Sequence, residues 1–375
     1  MADLVRPEVH ISDGLGKRLG SLTTQSSVNR AWVLLQPAQG GVQLALSDPM
    51  FKHLDPALGN AVAIVSPHYP VPWLGAITDR DEDHAGGTAR LTLLSLDAVL
   101  RDRYLDSPAS YSGSAGAIFR SLLSDANGAN DSGIAIAKDV AAGIAFETAV
   151  AFPDAQVYAA LNALARDSGH EWWVEYDVQP SGIRAVAHYQ PARGFNRYAA
   201  VRLTDGGNCD VMECAKRLGG MPFALRVVAG QTSPTQKYTE RSRVTRQFSS
   251  KVAPGADVVV GASVIVHGSE VEHSELSGSP LTRRQAVVVA EHLRSKGAIH
   301  AASLARLGRP SGAERVLKVR VYPNDDLWAQ LDVGSKVHFV SHRAFGGCDV
   351  PVRIVAVHPM EELGDCILTL QVLKG

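Results

Sequence analysis

The residues best suited to chemistry in this chain sit in one short stretch, His267-Gly268-Ser269-Glu270-Val271-Glu272-His273. Imidazoles and carboxylates are zinc ligands. His267, Glu270 and His273 could therefore gather around a metal and serve a metal-dependent hydrolase. No helix or loop frame fixes their spacing, and an exposed polar loop is the simpler reading. His338 and His342 share a strand face but lack a third ligand. The acidic run Asp79-Arg80-Asp81-Glu82-Asp83 lacks the alternating ligands and closing glutamate of a calcium loop, and reads as a solvated hairpin tip. Ser112-Gly113-Ser114-Ala115-Gly116 is no nucleophile elbow, because serine stands two places before Ser114; it reads as a helix start. His170-Glu171-Trp172-Trp173-Val174 lacks the second histidine of a zincin and reads as a helix-to-strand connection. No Walker loop or GxGxxG occurs. No catalytic, cofactor-binding or metal residue is assigned, and no enzyme is expected.

Composition narrows the classes further. The chain has 375 residues, 45% of them hydrophobic and 20% charged, which suits roughly two to four globular domains. A net charge of -1 gives no broad positive surface for nucleic acid. The basic run Arg241, Arg243 and Arg246 reads as a solvated face, with a protein contact or DNA as the alternatives. Cys209, Cys214, Cys348 and Cys366 have neither zinc-ribbon nor redox-pair spacing, and read as thiols in a reducing compartment. The first residues hold no apolar signal core, and no stretch approaches the ~18 apolar residues of a membrane span. A soluble, cytosolically made protein is expected. Aromatic residues are only 6%, little for the exposed aromatic groove of a multi-barrel carbohydrate-binding adhesin, the main alternative reading.

Residues 1–27 are polar and broken by glycine, and read as an arm. Strands follow at Arg30–Leu35, Val42–Leu46, Ala61–Ser66, Trp73–Thr78 and Arg90–Leu96, at spacings that suit a small antiparallel barrel. A short helix is expected over 50–54, and helical spacing runs from Leu96 to Leu105. Further helices are predicted over Ala115–Leu123 and Ala155–Asp167, with a loop at Asn127–Gly133 between them and Gly169 as the stop. Glu171–Val178 and Ile183–His188 read as a hairpin in which Trp172 and Trp173 face opposite ways, one into the core and one toward an interdomain or subunit contact. Thr282 and Gln285 have capping-box spacing ahead of a helix over 282–296.

Two parts of the chain repeat one another. Gly59-Asn60-Ala61-Val62-Ala63-Ile64-Val65-Ser66 reads like Gly334-Ser335-Lys336-Val337-His338-Phe339-Val340-Ser341. Val71-Pro72 is matched by Val350-Pro351, and Leu91-Thr92-Leu93 by Leu368-Thr369-Leu370. Upstream, Trp32–Leu35 and Val42–Leu46 would correspond to Ala224–Ala229 and Val316–Val321, with residues 231–310 inserted in the second copy. Loop-closure entropy grows slowly enough with length to allow such an insert. The fold expected is mainly β with α+β inserts: two tube-like antiparallel β-barrel domains, an α+β domain and a smaller inserted domain. The divisions are 1–103 for the arm and first barrel, 104–195 for the α+β domain, 196–230 with 311–375 for the second barrel, and 231–310 for the insert.

This arrangement resembles the tail hub family of tailed bacteriophages, the baseplate hub or tail-tip proteins. The likeness rests on the helix Ala159–Ser168 with Gly169 and the strand from Trp172, on Leu331–Phe339 with Pro351–Val357 and Asp365–Leu373, and on the N-terminal barrel ending near Leu96–Arg103. The lead-in and Ala298–Gly312 stand outside it. The resemblance implies a structural virion protein at the tail tip, assembled in the host cytoplasm. It implies a homotrimer whose barrels form a pseudo-hexameric ring between a sixfold tail tube or distal tail protein and a threefold tip. It also implies a tape-measure protein in the lumen, a fibre or spike protein below, and DNA only in transit at genome ejection. A gene-transfer particle or injection machine would fit as well. Gly375 follows the second barrel too closely for the added peptidoglycan-cleaving domain of some relatives.

Overall fold

Alternating apolar residues set the sheets. The computed structural model describes residues 7–14, 16–66, 69, 71–105, 110–129, 131–152, 156–179, 182–218, 313–360 and 363–373, with the backbone of five short strands between 224 and 289. The first sheet is antiparallel throughout, built from β1 (Glu8–Ser12), β2 (Arg18–Ser21), β3 (Ser27–Arg30), β5 (Gln39–Ala45), β6 (Ala61–Val65), β7 (Trp73–Asp83) and β8 (Thr88–Ser95), while β4 (Trp32–Val33) leaves it. Its order is β2-β1-β6-β7-β8-β5-β3. The described part of the expected arm thus contains β1, β2 and the start of β3. Val9 and Ile11 are buried against β6, because the edge of β6 needs a partner and their alternation supplies one. Both faces of β6 are covered. Val62 and Ile64 face one apolar cluster, while the small Ala61 and Ala63 let the next domain approach closely.

That domain comprises β9 (Ser110–Ser114), α1 (Ala115–Ala129), β10 (Ile134–Ile136), β11 (Ala145–Ala151), α2 (Val157–Ser168), β12 (Glu171–Gln179) and β13 (Gly182–Gln190). Ile118, Phe119, Leu122 and Leu123 of α1 and Leu161 and Leu164 of α2 pack on the β10-β13-β12 sheet. Helix α1 runs through the predicted loop at Asn127. The Asn127 side chain donates to the Ile134 carbonyl at 3.1 Å and accepts from Ser132 N at 3.1 Å, so a polar residue anchors the helix end. Ser114 Oγ accepts from Ala117 N at 3.2 Å, the helix start its sequence suggested. Gly169, at φ 73°, ends α2 as expected. The helical spacings over 50–54 and from Leu96 resolve as 3-10 turns at Phe51–His53 and Leu96–Arg101.

The second sheet joins β14 (Arg202–Thr204) and β15 (Cys209–Leu218) to later strands. Between them comes a separate five-stranded sheet of β16 (Ala224–Gln231), β17 (Arg241–Thr245), β18 (Val258–Val259), β19 (Ile265–Glu272) and β20 (Gln285–Val289). Two expectations change here. Ala224–Ala229 pairs with β19 and β20 rather than in the second barrel, since an apolar strand does not itself specify its sheet. The helix over 282–296 is not found at Gln285–Val289, a strand parallel to β16; the run Val287-Val288-Val289 is β-branched and favours extended backbone. The remainder of that expected helix lies outside the described residues. The chain returns with β21 (Ala313–Val321), the short α3 (Asp325–Trp328), β22 (Lys336–Ser341), β23 (Cys348–Met360) and β24 (Asp365–Val372).

The order β6-β7-β8-β5-β3 in the first sheet is repeated as β22-β23-β24-β21-β15 in the second, with antiparallel pairing at each step. Even the irregularity repeats. The β7–β8 ladder skips Thr78, pairing Ile77 with Leu93 and Asp79 with Thr92. The β23–β24 ladder skips Val355, pairing Ile354 with Leu370 and Ala356 with Thr369. One displacement along the chain carries every residue of the first ladder onto the second. The duplication is therefore a property of register and bulge, not of composition alone. The Val-Pro match was slipped by two residues: Pro351, opposite His338, corresponds to Leu74, opposite Ala63. Such a slip preserves the face of every side chain, which is why it looked sound. The outermost strands differ, β1 being antiparallel to β6 and β14 parallel to β22.

The duplicated glycines before β6 and β22 differ in surroundings. Gly59 (φ 67°) has open space where a Cβ would stand, whereas at Gly334 (φ 90°) a Cβ would lie 2.4 Å from the Arg193 carbonyl oxygen. Gly59→Ala should cost about 1 kcal/mol, the strain of a positive φ alone. Gly334→Ala should cost several times as much, measured by urea unfolding of both variants.

Candidate assembly interface

Strand β23 is longer than its neighbour β22. Pairing with β22 stops at Arg353, and Ile354 closes it, its N–H donating to the Ser335 carbonyl at 2.9 Å and its carbonyl accepting from Gly334 N at 2.7 Å. Beyond it the strand edge would be bare, and an unpaired edge is a template for another strand. The first half of the chain fills it. Val33 pairs with Ala356 and Trp32 with Val357, antiparallel, and Leu34 N donates to the Val355 carbonyl at 2.8 Å. Val355 is the bulged residue, so the bulge is where the second sheet accepts a strand from the first.

The exit of β4 from its own sheet is held from several sides. Trp32 is 5% exposed and Arg30 only 1%, with its guanidinium 5.2 Å from the Trp32 ring centroid. The Trp32 and Tyr69 rings lie 4.5 Å apart, and Trp328 of α3 stands 6.1 Å from Tyr69. Trp73 Nε1 donates to the Ala31 carbonyl at 2.9 Å. Leu35 then turns the chain at a φ of 58°, outside the region bulky residues favour. These contacts make the buried faces of both sheets one continuous apolar cluster.

The α+β domain locks the same junction. Arg353 on β23 forks onto Glu171 at the start of β12, with both bonds 2.7 Å, and also donates to the carbonyls of Gly334 and Arg193 at 3.0 Å each. Arg193 N donates to the same carboxylate at 2.8 Å. Tyr158 of α2 donates to the Leu35 carbonyl at 3.3 Å, and Tyr176 accepts from Leu96 N at 3.2 Å. A cavity of about 40 Å³ remains, lined by Trp32, Trp73, Asp97, Tyr158, Trp173 and Arg193 among others. That is room for water and far below a substrate pocket of about 300 Å³. Burial holds the Asp97 carboxyl above its usual range, against the opposing hydrogen bond from Ser95.

The residues singled out for chemistry are scattered over the fold. His267–Glu272 lies in β19 rather than a polar loop, and His273 falls outside the described residues. His338 hydrogen-bonds Asp349 on the neighbouring strand, and with Arg202 nearby it holds that carboxylate below its usual range; His342 lies beyond the end of β22. Asp79–Asp83 is exposed or half-exposed as expected but is the end of β7, with Arg80 and Glu82 paired at 2.9 Å. Arg241–Thr245 forms β17. Glu171 opens a strand as read, and proves to be the partner of Arg353. Trp172 is buried and donates to Asn162 at 2.9 Å, while half-buried Trp173 faces the domain junction. The four cysteines are free, Cys214 exposed and Cys209 and Cys366 buried on strands that flank Val321. Among the described residues no three His, Cys, Asp or Glu side chains converge, and no helix is long and apolar enough to cross a membrane. Sequence reasoning missed Arg30, Tyr69, Arg193 and Arg353; nothing in a lone arginine's neighbours marks it as buried.

No protein-family model matches the sequence, and no curated protein matches it. Solved structures do. The 43 kDa tail protein of prophage MuSo2 from Shewanella oneidensis superposes with a TM-score of 0.57 at 14% identity, covering 98% of both chains. The tail protein from Neisseria meningitidis MC58 gives 0.56 at 15% identity, over 98% of this chain and 97% of that one. Prophage tail protein gp18 from Listeria monocytogenes EGD-e gives 0.53 at 12% identity, over 97% and 94%. The fold is that of phage tail proteins along nearly the whole chain, as the sequence resemblance implied.

Two substitutions probe the junction. Arg353→Leu strands a mostly enclosed carboxylate and should cost about 3 kcal/mol in denaturant unfolding, part of which Glu171→Leu in the same chain should restore. His358 on β23 is held below its ordinary value of 6.5, first by burial and then by the charges of Arg30 and Lys318, a hydrogen bond to the Arg30 backbone opposing. The folded chain thus binds this proton less readily than the unfolded one. Its contribution is complete above the unfolded value and is lost as pH falls through 6.5 toward the lowered value. Thermal melts at pH 7 and pH 5 should show a larger acid loss for the native chain than for His358→Gln.

Proposed function

We propose that this chain, which has the fold of phage tail proteins, is a non-enzymatic structural component of a virion tail. In this reading it is a tail-hub protein at the tail tip, and three copies form a ring with six similar sheet modules. The observation that carries the reading is the duplicated ladder with its shared bulge, β7–β8 and β23–β24. A chain with two equivalent modules can present threefold symmetry on one side and near-sixfold symmetry on the other. The ring would join a sixfold tail tube or distal tail protein to a threefold tip that carries fibre or spike proteins. Its lumen would hold the tape-measure protein before ejection and pass DNA afterwards.

Mass photometry of the purified chain tests this directly. A species at three times the chain mass of 39.9 kDa is expected. A population of single chains or even-numbered assemblies across the micromolar range overturns the ring.

A further inference from the structure

The filled junction between the two modules has an empty counterpart at each end of the chain. On its acceptor side, Val355, Ala356 and Val357 of β23 are covered by β4, with Val357 fully buried. The register carries these residues onto Thr78, Asp79 and Arg80 of β7. Pairing of β6 with β7 likewise stops at Ala76, and Ile77 N bonds the Asn60 carbonyl just as Ile354 N bonds that of Ser335. Beyond that point no described strand lies on this side of β7, and Thr78 and Asp79 are exposed. The bulge that receives a strand in one module is without one in the other, where the Pro56–Leu58 turn approaches β7 and the Arg80 guanidinium lies 4.7 Å from the Phe51 ring centroid.

On the donor side the asymmetry is reversed. Strand β3 pairs with β5 as β15 pairs with β21, which places Arg30 in register with Cys214 and Trp32 with Lys216. Arg30 and Trp32 are buried in the junction, whereas Cys214 and Lys216 are exposed, as are Met212 and Glu213 beside them. β15 is the last strand of its sheet, and its end, unlike β4, stays paired with β21 from Lys216–Arg315 to Leu218–Ala313, so it offers its outer edge. The two open halves also differ in charge. The acceptor carries Asp79, Asp81, Glu82 and Asp83 against Arg80, and the donor ends in Lys216-Arg217.

We infer that the end of β15 in one copy pairs, antiparallel, with the bulged edge of β7 in the next copy, repeating between chains the β4–β23 junction within one chain. By that register Arg217 lies opposite Asp79, Lys216 opposite Arg80, and the Leu218 N–H meets the Thr78 carbonyl. The contact is heterologous, one open donor and one open acceptor per chain, and such contacts close into rings when the rotation permits. The inference names the interface of the ring proposed above and rests on that reading for the number of copies.

A cysteine pair tests the register. Asp79 and Arg217 correspond to Ala356 and Val33, directly opposed positions whose Cα atoms stand close enough for a disulfide. Asp79→Cys and Arg217→Cys would be introduced together in a Cys214→Ser background, with far-UV circular dichroism to establish folding. Mild oxidation should yield reducible two- and three-chain species on denaturing gels. Each single variant alone should yield none, and a mixture of the two should yield only two-chain species. A three-chain particle in mass photometry that forms no such disulfide overturns this interface while leaving the ring intact. Absence of self-association in the native chain overturns both. Disulfides in either single variant would point to a symmetric contact and also overturn it.

Discussion

The structure depends on one backbone event, the departure of Trp32 and Val33 from their own sheet to pair with β23 of the other. A bulge makes that possible. Where Val355 drops out of the β23–β24 ladder, its carbonyl turns outward and takes the Leu34 N–H. Around this short pairing the side chains are large, aromatic and buried, and the cationic Arg30 is enclosed with them. The α+β domain then adds Glu171 to Arg353, so three units meet at one seam. Burying such a carboxylate and guanidinium is costly unless their hydrogen bonds are complete. Here the guanidinium donates to the carboxylate and to two backbone carbonyls, and the carboxylate also accepts from Arg193 N.

The bulge is duplicated but its use is not. In the first module the same distortion follows Ile77, and the strand past it is acidic and solvated where its counterpart is Ala356-Val357-His358-Pro359-Met360. Charges along a free edge discourage indiscriminate pairing in the isolated chain. They still leave the edge selective for a basic strand. In the proposed interface each chain fills one such junction itself and leaves the other for the next chain, which is what a subunit needs if rings are to form without aggregates.

Much of this was legible in the residues. The strands of both modules showed themselves by alternation, because one face of each sheet is buried. The duplication was visible in Gly59–Ser66 against Gly334–Ser341 because both segments open on a glycine, of positive φ in the fold, and run into a strand. Where the reading failed, local pattern carried no tertiary information. β15 falls within residues 196–230, assigned to the second barrel, but no alternation singles it out, since Asp210, Glu213, Lys216 and Arg217 suit an edge strand with little cover. Ala224–Ala229 took its place because an apolar strand fits any sheet. Gln285–Val289 satisfied a helical period, and its β-branched run decided otherwise. The seam itself could not be read, because Arg30, Glu171, Arg193 and Arg353 come together only through the fold.

If the duplication is the working device, the two modules must occupy equivalent places in the assembled particle. Electron cryomicroscopy of the assembled chain measures this most directly. The expected map has overall threefold symmetry and six alternating sheet modules around one lumen, with the first and second modules of neighbouring chains joined as they are within a chain. A map in which the two modules face different surroundings, one at the lumen and one away from it, would contradict the central claim.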